Sequence, residues 1–138
     1  MTNSLTKWIF IYILSLALFL IIDMIWLGWL AKDMYKKYLG HLMTDNINWT
    51  AALVFYAIFI AALLLFVVQP AGEKNDIWYA LLRGAAFGLV TYATYDLTNL
   101  ATLRNWPQQI VLIDIAWGTL LCTLVSAGAF YIYKWILG

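Results

Sequence analysis

The chain has 138 residues, the size of one domain. Hydrophobic residues make up 65% of it and charged residues only 11%, whereas a soluble domain is about half apolar and a quarter charged. This composition excludes an ordinary water-soluble domain. A net charge of +1 argues against a nucleic-acid partner, and the single cysteine, Cys122, excludes an intrachain disulfide or a paired-cysteine metal or redox motif.

Four segments are long and apolar enough to read as membrane helices, each needing about 20 residues. They cover roughly residues 8–31, 49–68, 77–103 and 107–136. No stretch alternates with period two, so the expected fold is an all-α integral membrane protein, a single four-helix transmembrane bundle. The first segment is too long for a signal-peptide core, contains Asp23 and lacks a small-residue cleavage site before Lys32, so it reads as a retained helix. With four spans both termini share one side, here the N side; the first and third connections share the other, the L side.

The first connection, residues 32–48, is the longest. Met34, Tyr35, Tyr38, Leu39 and Leu42 recur at helical spacing, and Lys32, Lys36 and Lys37 fall elsewhere. This pattern predicts an amphipathic interfacial helix between helices 1 and 2, ending near Gly40. The run Asp45-Asn46-Ile47-Asn48 then offers turn and N-cap chemistry. The second connection, residues 69–76 with Pro70-Ala71-Gly72, reads as a polar turn. The third is the turn at residues 104–109, with Pro107 placed to enter helix 4. Lys7, Lys74, Arg83 and Lys134 lie on the N side, and Lys32, Lys36, Lys37 and Arg104 on the L side. This even split gives the positive-inside rule no direction.

The polar residues inside the apolar segments point to a site. Asp23, Asp96 and Asp114 each fall about seven or eight residues from the L end of a helix, or roughly 10–12 Å deep. Three helices thus place an acid in one layer, and a carboxylate in a bilayer is costly enough to suggest function. On helix 3, Gly84, Gly88, Tyr92, Asp96 and Asn99 share a face that contains a GxxxG pattern; on helix 4, Asp114, Gly118, Cys122 and Ser126 do the same. Leu16, Phe19, Asp23, Trp26 and Leu30 form a face of helix 1, and helix 2 is assigned a supporting, lipid-facing role. Most Trp and Tyr residues read as interfacial belts, with Trp26 and Trp117 the exceptions because each lies a helical turn from an acid.

The inferred pocket opens to the L face, carries acids and has aromatic walls. Asp23, Asp96 and Asp114 are candidate acid/base or cation-binding groups. Trp26, His41, Tyr95, Asn99, Arg104 and Trp117 are candidate ligand-binding residues, with the segment after helix 1 as a cover. Three close carboxylates in low dielectric do not all ionise without a compensating cation. Arg104, His41 or a divalent ion would supply it; oxygen ligands favour Mg²⁺ or Ca²⁺ over zinc, and neither metal is required. The bland alternative is structural, with the acids acting as hydrogen-bonding groups that lock helix packing. The one histidine of the chain is too few for a multi-histidine iron site.

Asp23-Met-Ile-Trp26-Leu27-Gly28, Tyr38-Leu-Gly40-His41-Leu42, Thr94-Tyr95-Asp96-Leu97-Thr98-Asn99 with Ala101-Thr102, and Asp114-Ile-Ala-Trp117-Gly118 occur in that order. Together they resemble a family of small bacterial membrane proteins, domain-of-unknown-function family 2177. The resemblance covers nearly the whole chain and implies a four-helix protein of the bacterial inner membrane, with no activity to carry over. The residues themselves favour a pocket that binds or modifies a lipid or small amphiphile. The alternatives are a proton-coupled transporter acting as a homodimer, which the charge balance allows, and a non-catalytic assembly subunit held by the GxxxG face.

Overall fold

The computed structural model describes residues 3–138, and no strand occurs among them. The helices are α1 (Ser4–Ile25), α2 (Lys32–Leu39), α3 (Trp49–Leu63), α4 (Gln69–Lys74), α5 (Ile77–Thr102) and α6 (Gln108–Leu137). Three continuous helical stretches are long and apolar enough to cross a membrane: Ser4–Leu30, Trp49–Lys74 and Gln108–Leu137. At 26 residues, α5 has the length but not the apolarity. The all-helical class is as expected, but three helical stretches, not four, meet the measure of a span.

Side-chain caps set several helix starts. Asn3 accepts from the Leu5 amide at 2.8 Å, Asn48 from Ala51 at 3.0 Å and Asp76 from Trp78 at 2.9 Å, each satisfying a donor that a helix N-terminus leaves free. The Asn48 cap is the one expected before helix 2. Asn75 and Asn105 take positive φ, 52° and 59°, at the two tight turns flanking α5. A short polar side chain tolerates that conformation better than a branched one.

Two helices are longer than their sequence patterns suggest, and both contain a π-helical turn. After α1, the segment Trp26–Leu30 widens, so that the Ala31 amide donates to the Trp26 carbonyl at 2.7 Å. The chain bends at Ala31 and α2 follows. After α3, the segment Leu64–Val68 widens in the same way, and the Gln69 amide donates to Leu64. Residues 69–76 are therefore not the expected polar turn: helix 2 continues through Pro70 to Lys74, six residues beyond position 68. The wide turn resets the register, leaving Pro70 in the first turn of α4, where its missing N–H breaks no bond. Ala71 and Gly72 are fully buried there, with Gly72 under the Tyr133 ring.

The α5–α6 hairpin is the most extensive helix pair, and α6 also packs on α1 and on the Leu64–Lys74 end of the second span. The two small-residue faces expected from the sequence meet each other. Gly84 lies against Ser126 and the Cys122 carbonyl; Gly88 lies against the Gly118 carbonyl, and Gly118 sits beneath the Tyr92 ring. The GxxxG face is thus covered by α6 of the same chain, the close approach that small residues permit. α1 buries Ile11, Ser15, Phe19 and Asp23, one residue per turn. Trp29 and Trp49 are exposed at the L end and Trp78 and Trp135 at the N end, as interfacial belts require.

A side chain at position 88 would place its Cβ 2.9 Å from that of Cys122, whereas nothing lies within 4 Å of a Cβ at position 28. Gly88→Leu is expected to lower stability in thermal unfolding of detergent-solubilised protein by at least the roughly 1–3 kcal/mol of an overpacked core. Gly28→Ala should leave the midpoint nearly unchanged.

Candidate functional site

The acids sit where three helices approach the L end. Asp23 is 6% exposed, Asp114 8% and Asp96 0%. Asp114 is within electrostatic range of both other carboxylates. The three acids thus come together, but they have different surroundings.

Asp23 and Asp114 are each met by an aromatic donor. The Trp117 indole N–H donates to Asp23 Oδ1 at 3.2 Å, and the Tyr35 hydroxyl donates to Asp114 Oδ1 at 2.5 Å. Trp26 donates in turn to the Tyr35 hydroxyl at 3.1 Å. The two indoles stack, with ring centroids 4.4 Å apart and planes 8° from parallel. One aromatic stack from α1's end and α6 therefore serves both acids. Tyr35 comes from α2, whose Met34, Tyr35, Tyr38 and Leu39 pack on Trp106, Ile110 and Val111. Burial, and next the bond to Asp114, raise the Tyr35 hydroxyl well above the usual phenol range, which keeps it a donor.

Asp96 is fully buried beside Asp114, and neither of its oxygens accepts a bond from an N–H or hydroxyl group among the described residues. No group of three His, Cys, Asp or Glu side chains is disposed to hold a metal among the described residues. Two of the three carboxylates place their Oδ1 atoms on separate aromatic donors rather than at a common centre.

Beside the acids lies a cleft of about 680 Å³. Phe55, Tyr56 and Phe59 of α3 form one wall, and Val90, Thr91, Thr94 and Tyr95 of α5 the other. The rings of Phe59 and Phe87 touch at 5.2 Å, and α5 otherwise meets the second span chiefly at its Leu64–Lys74 end. Toward the L side α3 and α5 separate, which leaves the cleft. Asp23, Asp114, Trp117 and Tyr92 form its inner end, and Tyr35 and Leu39 of α2 stand over it, the position expected of a cover. Phe55, Val90 and Tyr95 are exposed at the rim, so the cleft opens sideways between helices, not only toward the L face.

The other candidate residues divide. Tyr95 lines the rim, edge-on to Trp106 at 5.8 Å. Asn99 is half-buried, and neither it nor Asp96 reaches the cleft. His41 and Arg104 are exposed and lie away from the acids, so neither neutralises them. Tyr35, Tyr56, Phe55 and Phe59 were not expected at the site. Helix 2 supplies three of these four, so its supporting role becomes that of a cleft wall. The Tyr35 contact depends on the bend at Ala31, which no residue pattern announces.

The profile of the predicted-membrane-protein family DUF2177 matches residues 8–131. The chain belongs to that family. No curated protein and no solved structure matches it. The family description and the apolar helices agree on a membrane protein, and every residue of the acid–indole arrangement lies inside the matched region.

Tyr35→Phe removes the one side-chain hydrogen bond between α2 and α6 among the described residues. It is expected to cost about 1–3 kcal/mol of stability and to speed amide hydrogen exchange across residues 32–39 while leaving α6 protected. Unchanged exchange in that segment would mean that apolar packing alone holds α2.

Proposed function

We propose that this protein is a four-span protein of the bacterial inner membrane whose lateral cleft binds a lipid or small amphiphile. The observation that carries the reading is the cleft, about 680 Å³ with apolar walls and two carboxylates at its inner end. That size lies within the range of small-molecule sites, which are mostly apolar with a few placed polar groups. A cleft that opens between two helices at this depth faces acyl chains, so an amphiphile can enter from the bilayer.

Two features support α5 as the fourth span. Its 26 residues reach about 39 Å, more than the hydrocarbon thickness of about 30 Å. Its polarity is also largely internalised: Thr91, Thr94, Thr98 and Thr102 donate to carbonyls one turn back, and Asp96 is buried. Arg83 lies over the Tyr79 ring at 5.2 Å, toward the N side, where a long side chain snorkels.

A second groove, of about 420 Å³ between Trp8, Tyr12 and Leu65, has no acidic or basic residue in its lining. It lacks the charged end that the reading needs.

Thr91→Trp would place an indole in the cleft without touching either acid. Native mass spectrometry of protein released in mild detergent is expected to show a retained amphiphile on the wild type and none on this variant. Equal retention by both would place the ligand elsewhere and remove the basis of the proposal.

A further inference from the structure

We infer that the polar end of the ligand is an organic ammonium group, bound by Asp23 and Asp114 within a cage of aromatic rings. The inference rests on the pocket reading above and adds the head-group chemistry. Both acids line the cleft, and each is more than nine-tenths buried. Each Oδ1 accepts one internal bond. Asp23 Oδ2 accepts no bond from the described residues and is not sealed from the cavity as the Asp96 oxygens are, whereas Asp114 also lies beside the Asp96 carboxyl. A carboxylate oxygen of Asp23 therefore faces, without a partner, a cleft that holds no cationic side chain, and the Asp114 carboxyl lines the same end. An ionised carboxylate only accepts, so its complement is a donor or a cation.

The lining includes no Lys, Arg or His. A phosphate, sulfate or carboxylate head group would meet two acids and no counter-charge, which is repulsive at this depth. The walls near the acids are aromatic. Tyr56, Tyr92 and Trp117 line the same cleft as Asp23 and Asp114. Aromatic faces attract ammonium ions, most strongly where water is excluded, and acids beside such rings form an ammonium site. The apolar tail of the same molecule then runs along Phe55 and Val90 toward the bilayer.

The test uses full-length wild-type protein in maltoside micelles, titrated separately with dodecylamine, dodecanol and dodecanoate at equal mole fraction. Apparent affinity is read from the rise in unfolding midpoint and from bound mass. Dodecylamine should bind at least about tenfold more tightly than the other two, the loss expected for a missing charge-assisted bond. Asp23→Asn and Asp114→Asn should each abolish most of that preference. Butylamine, which lacks the tail, should bind far more weakly; equal binding would assign the site to a free amine and overturn the amphiphile. Equal binding of the three long-chain ligands, or preference for dodecanoate, would overturn the ammonium head group while leaving the pocket. Failure of all three to bind would overturn both. If either variant does not fold, the wild-type ligand series decides alone.

Discussion

The stacked pair Trp26 and Trp117 is the contact on which the L end of the molecule depends. Its two N–H groups are the source of both donor chains, one running directly to Asp23 and the other through Tyr35 to Asp114. A buried polar group costs little only when bonded, and a carboxylate costs most of all. Indole is well suited to the task, since it is large and apolar and carries a single donor. The stack thus fills space in an apolar layer while delivering a hydrogen bond at each face. It also joins three parts of the chain, the end of the first span, α2 and α6.

Behind the stack, small residues set the scaffold. Gly84, Gly88 and Gly118 allow α5 and α6 to approach until side chains of one helix touch backbone of the other. That closeness seals Asp96 between the helices and directs Tyr92 across Gly118 to the cleft. On the opposite flank no such residues bring α3 to α5. The aromatic pair Phe59 and Phe87 holds them apart at mid-height, and the cleft opens above it. Tight packing on one side of α5 and loose packing on the other have the same origin, the size of the residues at each contact.

Much of this was legible in the residues. Apolar runs located the helices to within a few positions, and spacing along α5 and α6 predicted the two faces that do meet. Counting from the L end predicted that Asp23, Asp96 and Asp114 would come together, and Asp114 lies near both others. Counting could not distinguish them, because whether an acid faces a cleft, a donor or another helix is decided by rotation and by neighbours distant in sequence. The continuation of helix 2 past Pro70 was hidden for a different reason. Proline reads as a stop, and only the extra residue of the π turn at Leu64–Val68 lets the helix pass it. The bend at Ala31 was likewise invisible, and with it the bond from Tyr35. His41 and Arg104 were attractive as countercharges on composition alone, yet the turns that carry them hold both out in the open.

The central claim is that the aromatic donors and the acids act as one hydrogen-bonded unit, and a double-mutant cycle tests it most directly. Thermal unfolding in detergent would compare wild type, Trp117→Phe, Asp23→Leu and the double variant. If the indole donor and the carboxylate are coupled as described, the double variant should be less destabilised than the sum of the single ones, by about 0.5–1.5 kcal/mol. Strict additivity would contradict the account.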